Sequence, residues 1–250
     1  MTEYITKLNQ LDLEIDNDIV HNQVNEIKQI DNYIKSKKPL PEAPARLGLL
    51  PDQFEDVLME IGENKRSSLT TINNLFNNCR QYLSLEYGIW SVANLKTARL
   101  IQEKLAINKA LEIMAGNAYW SKALEAAGIE TISTDSLEWA KTSKTGSEPF
   151  HQVLDMPAAQ AIEKYRDVDL LLCSWSPNFG QGDIETVNAW QKYNKSSHLL
   201  FIGEQNGATN SQEFWDHSWF KKTPELAEIN HSFKSFDFIN ERIFEIDNEF

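Results

Sequence analysis

Cysteine is nearly missing from this 250-residue chain: Cys79 and Cys173 are the only two, too few for a disulfide framework and without metal-ligand spacing. Long apolar runs are missing as well, since nothing approaches the ~18 consecutive apolar residues that a membrane helix needs. The opening residues MTEYITKLNQLDLEID contain no basic stretch followed by an apolar one. A secretory leader is therefore not expected, and a reducing cytoplasm is the expected location. Positive charge is scarce: 24 Lys and Arg stand against 37 Asp and Glu, a net charge of −13. That balance repels polyanions, so nucleic acid is disfavoured as a substrate. The basic clusters KSKKP at 35–39 and KTSKTG at 141–146 read as solvated loop charge. GxxxxGK[ST], HExxH and GxSxG are all absent, and His21, His151, His198, His217 and His231 are too scattered to suggest a metal cluster.

What is present argues for a folded core: 41% hydrophobic residues and 10% aromatics, seven of them Trp, are too many for a disordered chain. The character of the chain changes near Leu105. Before it, Val20, Val24, Ile27, Ile30 and Ile34 recur at helical spacing and form a stripe that must pack on something. Four prolines and a glycine interrupt the pattern at 37–51. Pro51 then suits a first helical residue, with Gly62 closing that helix. Further helices are predicted over about 67–85 and 91–105. After Lys109, short apolar runs (KALEIM, GIETIST, FHQVL, VDLLLCS, HLLFIG) alternate with amphipathic stretches, which predicts a parallel sheet covered on both faces. The tail INHSFKSFDFINERIFEID holds two strand-like runs with little room for a crossover helix, so an antiparallel hairpin at the sheet edge is expected. The fold class is thus α/β: a doubly wound, mainly parallel sheet with a C-terminal antiparallel hairpin. An N-terminal helical region of residues 1–86 precedes an α/β domain of 87–250.

In open parallel sheets, ligands sit beyond the carboxyl ends of the strands. The first strand runs into LEIMAGNAYW, which carries Glu112 and then Met114, Gly116 and Ala118 at the successive even positions where ligand-binding turns often have glycines. Only Gly116 is one, although close ligand approach and positive φ both favour glycine. The second strand ends on Asp135, spaced to accept both hydroxyls of a ribose or to cap a helix. The third ends in VLDMP, where Asp155 could accept from an adenine amino group with Met156 on the ring, or cap the helix that Pro157 starts. The fourth ends in LLCSWSPNFGQGD: Ser174, Trp175, Ser176, Pro177 and Phe179 combine hydroxyls with aromatic faces that could clamp a planar substrate or fold onto the core. The fifth ends in IGEQNGATN, giving Glu204 as a second carboxylate, beside Glu112, able to orient an amine or bond within its own loop.

The succession YGIW (87–90), LEIMAGNAYWSKALEAAGIETISTD, DLLLCSWSPN and FIGEQNGATNSQEFW resembles a branch of the class I S-adenosylmethionine-dependent methyltransferases over about residues 87–215. That branch has an E-x-G-A-G-x-G-Y-W loop, a Trp-Pro-Pro loop and a Gly-Glu pair. The resemblance implies a Rossmann-like methyltransferase sheet with S-adenosylmethionine as cofactor. Glu112, Ala115, Gly116, Asn117 and Tyr119 would line its methionine and ribose side, with Ser174 beside them. Asp135 would hold the ribose, and Asp155 with Met156 would flank the adenine. Trp175, Ser176 and Pro177 would face the methyl acceptor, a small molecule or protein, with Glu204 nearby. The helices of 1–86 would serve as a lid, a homodimer surface or a partner surface. The departures are Met114 and Ala118 for two glycines and Trp-Ser-Pro for Trp-Pro-Pro. They keep open a second expectation, a binding or regulatory module that retains the fold without turnover. Nicotinamide-dependent redox chemistry is a third, disfavoured because a turn with one glycine is bulky for a pyrophosphate.

Overall fold

Side chains that cap helices set the pattern of the N-terminal third in this computed structural model, which describes residues 2–138, 145 and 148–249. Thr2 caps α1 (Glu3–Ile15), and Asn17 caps α2 (Asp18–Lys35) by accepting from the amides of Ile19 and Val20 at 3.0 and 3.3 Å. α3 (Pro51–Ile61) starts on proline and stops at Gly62, whose φ of 93° an L side chain rarely adopts. The single helix predicted over 67–85 is two, α4 (Arg66–Asn77) and α5 (Cys79–Tyr87). Asn78 breaks it, turning its side-chain amide onto the Asn74 carbonyl at 2.8 Å, the local competition for backbone that Asn favours. α6 (Leu95–Leu105) begins later than predicted because Asn94 Oδ1 accepts from the Thr97 amide at 2.9 Å and fixes the start there.

The α/β part holds six strands: β1 (Lys109–Ile113), β2 (Glu130–Asp135), β3 (Val153–Asp155), β4 (Leu170–Ser174), β5 (His198–Glu204) and β6 (Glu241–Glu245). They lie in the order β3-β2-β1-β4-β5-β6, all parallel except β6, which runs antiparallel to β5. α7 (Tyr119–Ala126), α8 (Ala158–Lys164), α9 (Gly182–Tyr193), α10 (Gln212–Asp216) and α11 (Pro224–Ser232) occur between strands. The antiparallel pair at the sheet edge is present, but it joins β6 to β5 and is not a hairpin of two tail strands. The first tail run instead completes α11, started by Pro224 and capped by Thr223, which buries Leu226 and Ile229. The Asn230 side chain then clamps β6 by bonding both backbone groups of Ile243 at 2.8 and 2.9 Å.

Strand alternation divides the core. Ala110, Leu170, Leu172, Leu200 and Ile202 face one side, together with the α2 stripe of Val20, Val24, Ile27, Ile30 and Ile34, in one continuous apolar cluster. Leu111, Ile113, Leu171, Cys173, Leu199 and Phe201 face the other side, against Ile162 of α8, Val187 and Trp190 of α9 and Phe214 of α10. Helices 1–86 therefore share a core with the sheet. Buried Asp31 ties α2 to α5, accepting from Tyr82 and Tyr87 of α5 at 2.6 and 2.5 Å and from Lys35 at 2.6 Å. Burial raises the Asp31 pKa, but those three donors outweigh it and hold the carboxyl below its usual range. Among the described residues, no helix is long and apolar enough to cross a membrane, and no group of three or more His, Cys, Asp and Glu could hold a metal ion. The basic cluster at 141–146 lies, apart from Thr145, outside the described residues.

Candidate active site

The strand order changes direction between β1 and β4, and a cleft of about 770 Å³ opens at their carboxyl ends. Its wall is the turn after β1. Met114, Gly116 and Ala118 adopt φ of 49°, 52° and 57°, so all three even positions have the left-handed backbone, though one alone is glycine. The turn has kept the conformation that glycine would favour while carrying side chains that disfavour it by ~1–2 kcal/mol each. Ala118→Gly is accordingly expected to raise unfolding free energy by about 0.5–1 kcal/mol after the added freedom of the unfolded chain is subtracted. Urea titration measures this; a destabilised variant would mean that lost Ala118 packing outweighs backbone relief.

Carboxylates hold the turn at two points. Asp135, at the end of β2, accepts from the Gly116 amide at 2.9 Å and from the Leu137 amide at 2.8 Å. Glu112, on β1 and 2% exposed, accepts from the amide of Ser121 at 2.7 Å and from its hydroxyl, both at Oε2. Oε1 takes no hydrogen bond among the described residues. The Ser121 hydroxyl in turn accepts from Ser133 Oγ at 2.6 Å, and Ser133 Oγ lies 2.8 Å from His151 Nδ1. With both serine protons directed toward Glu112, His151 Nδ1 closes this row as its outer donor. Burial pushes the Glu112 carboxyl up to about 7; the two bonds from Ser121 oppose the rise and the charge of Asp135 adds to it.

Asn117 is 3% exposed and donates to the carbonyls of Tyr87 and Thr145 at 2.6 and 3.0 Å, while its buried Oδ1 has no partner. This contact explains the glycine of YGIW: a Cβ on Gly88 would lie 2.5 Å from Asn117 Nδ2. Tyr119 lines the cleft but spends its hydroxyl on the Lys38 carbonyl at 3.1 Å, and Ala115 bonds the Thr134 carbonyl at 3.0 Å.

The opposite wall follows β4. Ser174, Trp175 and Pro177 line it, and exposed Phe179 stands at its mouth. Trp175 has a φ of 56° and stacks on Trp90 with centroids 5.4 Å apart. Its indole Nε1 donates to Glu241 at 2.6 Å, and the Arg80 guanidinium lies 4.8 Å from its ring. Arg80 is itself buried, bonding both oxygens of Asp237 at 2.7 and 3.0 Å and Glu241 at 3.0 Å.

Four of the residues singled out from the sequence lie elsewhere. Ser176 is 2% exposed and sits behind the wall, 4.0 Å from Met114 Sδ. Glu204 turns away into two loops, accepting from the Ala208 amide of its own loop at 3.1 Å and from the Asn240 amide just before β6 at 3.0 Å. Asp155 is exposed beyond β2 at the sheet edge, and Met156 packs on the second core cluster. The cleft instead recruits Gln81, Ser84 and Leu85 from α5, and Ser136 and Glu138 after β2. Ser136 and Glu138 directly follow Asp135, a proximity that could have suggested them. The α5 residues carry no such signal, because only tertiary packing brings that helix to the strand ends.

The parallel order β3-β2-β1-β4-β5, the antiparallel strand at β5, and the cleft at the β1/β4 reversal decide the architecture. The fold is Rossmann-like, of the methyltransferase type. No family model and no curated protein matches the chain. Among solved structures with the methyltransferase fold, it is similar to the mitomycin 7-O-methyltransferase MmcR, with 13% identity and a TM-score of 0.38 over 90% of this chain and 68% of that one. It is also similar to a TehB-like SAM-dependent methyltransferase from Corynebacterium glutamicum, with 12% identity and a TM-score of 0.39 over 60% and 86%. For a SAM-dependent methyltransferase from Archaeoglobus fulgidus the values are 20% identity and 0.31 over 44% and 52%, so the chain spans about half of that protein.

Proposed function

We propose that this chain binds S-adenosylmethionine in the cleft and transfers its methyl group to a small-molecule or protein acceptor. The observation that carries this reading is the left-handed backbone at Met114, Gly116 and Ala118, set between two buried carboxylates at adjacent strand ends. An ammonium needs acceptors, and the free Oε1 of Glu112 and the orphaned Oδ1 of Asn117 supply two. A ribose needs a carboxylate with lone pairs to spare, which Asp135 keeps on both oxygens after its two amide bonds. When bound, the cofactor supplies an electrophilic methyl on a sulfonium. The protein's part is to hold the acceptor in line and exclude water. Trp175, Trp90 and Phe179 suit that role on the facing wall, and among the described residues the charged groups lining the cleft are the acids Glu112, Asp135 and Glu138. Acidic lining favours a neutral or cationic acceptor over a phosphorylated one.

A second reading, a binding module without turnover, is favoured by Met114, whose side chain occupies a glycine position and lines the cleft. Calorimetric titration with S-adenosylmethionine and S-adenosylhomocysteine, with NAD as control, separates the two. Micromolar binding of the adenosyl ligands alone is expected; saturation by neither would leave the second reading. The pH dependence adds a test of Glu112. Its folded-state pKa of about 7 lies above the ordinary value of 4.5, so the free protein should lose stability as pH rises through that window. Ligand ammonium binding should show the opposite trend, strengthening from pH 6 to 8 as the carboxylate ionises. Glu112→Gln should flatten both profiles. Unchanged profiles in that variant would take Glu112 out of the ammonium site.

A further inference from the structure

Several basic side chains of this acidic chain sit against carboxylates: Arg66 pairs with Glu55 and Glu63, Lys104 with Glu228, and Lys109 with Asp167. A second concavity, of about 570 Å³, is different. Arg46, Lys234 and Arg242 line it with His231, all exposed, and among the described residues none of the four makes an ion pair or side-chain hydrogen bond. Three separate segments bring them together. The Leu47 amide donates to the Phe236 carbonyl at 2.7 Å, laying the irregular segment around Arg46 over the loop after α11. The Asn230 clamp on Ile243 sets Arg242 of β6 beside the end of α11, where His231 and Lys234 project.

Two carboxylates, Asp237 and Glu241, also line the concavity, but neither offers its charge to it. Both oxygens of Asp237 accept from Arg80, and Oδ1 takes the Ile239 amide at 3.0 Å besides. Glu241 gives one oxygen to Arg80 and the other to the Trp175 indole. With the buried Arg80 offsetting one of those two charges, the three ionised rim groups leave the region net positive. Phe238, 70% exposed on the same wall, adds an apolar face beside the cations.

We propose that this concavity is a binding site for a small organic oxyanion, a molecule in which a phosphate or carboxylate group is attached to an apolar or planar body. The guanidinium forks of Arg46 and Arg242 match the paired oxygens of such a group, Lys234 adds a point charge, and Phe238 takes the attached body. The site is distinct from the cleft and does not depend on the methyl-transfer reading, although Glu241 lines this concavity while accepting from Trp175 in the other.

Calorimetric titration of the full chain with phenyl phosphate, inorganic phosphate and phenol, in low salt and with saturating S-adenosylhomocysteine present, tests it. Phenyl phosphate should saturate, inorganic phosphate should bind more weakly, and phenol should not bind. The double variant Arg46→Gln, Arg242→Gln should weaken phenyl phosphate at least tenfold while its melting temperature stays with that of the parent chain. Phe238→Ala should bring phenyl phosphate down to the affinity of inorganic phosphate, and raising ionic strength should weaken binding of both. No saturation by either anion, or binding untouched by the double variant, would overturn the proposal. So would binding confined to an acidic peptide, since that would make the patch a protein-docking surface.

Discussion

Arg80→Met is expected to lower unfolding free energy by about 3–5 kcal/mol, because it leaves Asp237 and Glu241 buried without their cation. The two carboxylates are 4% and 3% exposed, so water cannot take over the role of the guanidinium. The damage should extend to the cleft, since Arg80 underlies the Trp175 ring at 4.8 Å and holds the same Glu241 that accepts from the indole. Chemical denaturation gives the energy, and tryptophan fluorescence reports the loss of the ordered Trp90–Trp175 stack. Combining Arg80→Met with Asp237→Asn and Glu241→Gln should recover most of the stability, because no buried charge then remains unpaired. A single Arg80→Met variant costing under about 1 kcal/mol would show that the carboxylates find other partners and that the cluster does not organise the wall.

Asp135→Ala is expected to cost about 2–4 kcal/mol of stability, since the amides of Gly116 and Leu137 both lose their acceptor. The residue is 6% exposed, so water cannot readily take over the role of its carboxylate. Asp135→Asn keeps one acceptor oxygen and should lose roughly half as much. Under the methyl-transfer reading, both variants should bind S-adenosylhomocysteine at least tenfold more weakly, since an amide cannot accept from both ribose hydroxyls. Thermal melts and calorimetry separate the effects. Unchanged melting in Asp135→Ala would mean that the turn after β1 is held in some other way; retained affinity with reduced stability would confine Asp135 to a structural role.

Much of the scaffold was legible because each strand buried on both faces leaves a short continuous apolar run, and each helix leaves a stripe. LLLC in β4 and the Val20–Ile34 spacing in α2 are such traces, and they gave the alternation that defines a parallel sheet. The break at Asn78 was less legible. Leu69, Ile72, Phe76, Cys79 and Leu83 continue one apolar face through it, and a single side-chain bond to Asn74 decides against a continuous helix. The tail misled for a related reason: its first run is apolar enough for a strand, yet Thr223 and Pro224 start a helix whose inner face packs in the core beside the sheet.

Within the cleft, the residues nearest each strand end were within reach of the sequence, since topology alone sends Glu112, Asp135 and Ser174 to one edge of the sheet. What their side chains do was not. Glu204 stands at an equivalent strand end but satisfies two loop amides, and Asp155 lies one strand too far out. The sequence by itself determined the strand and helix periodicities, the acidic balance, and the positions where the chain leaves the sheet, because these depend on local spacing and summed charge. Only the tertiary structure decided that non-glycine residues keep a left-handed turn, that α5 closes the cleft, and that Arg80, Asp237, Glu241 and Trp175 form one buried unit. The last of these depends on partners 66 to 161 residues apart, whose meeting is set by how the helices pack on the sheet and not by any pattern within one segment.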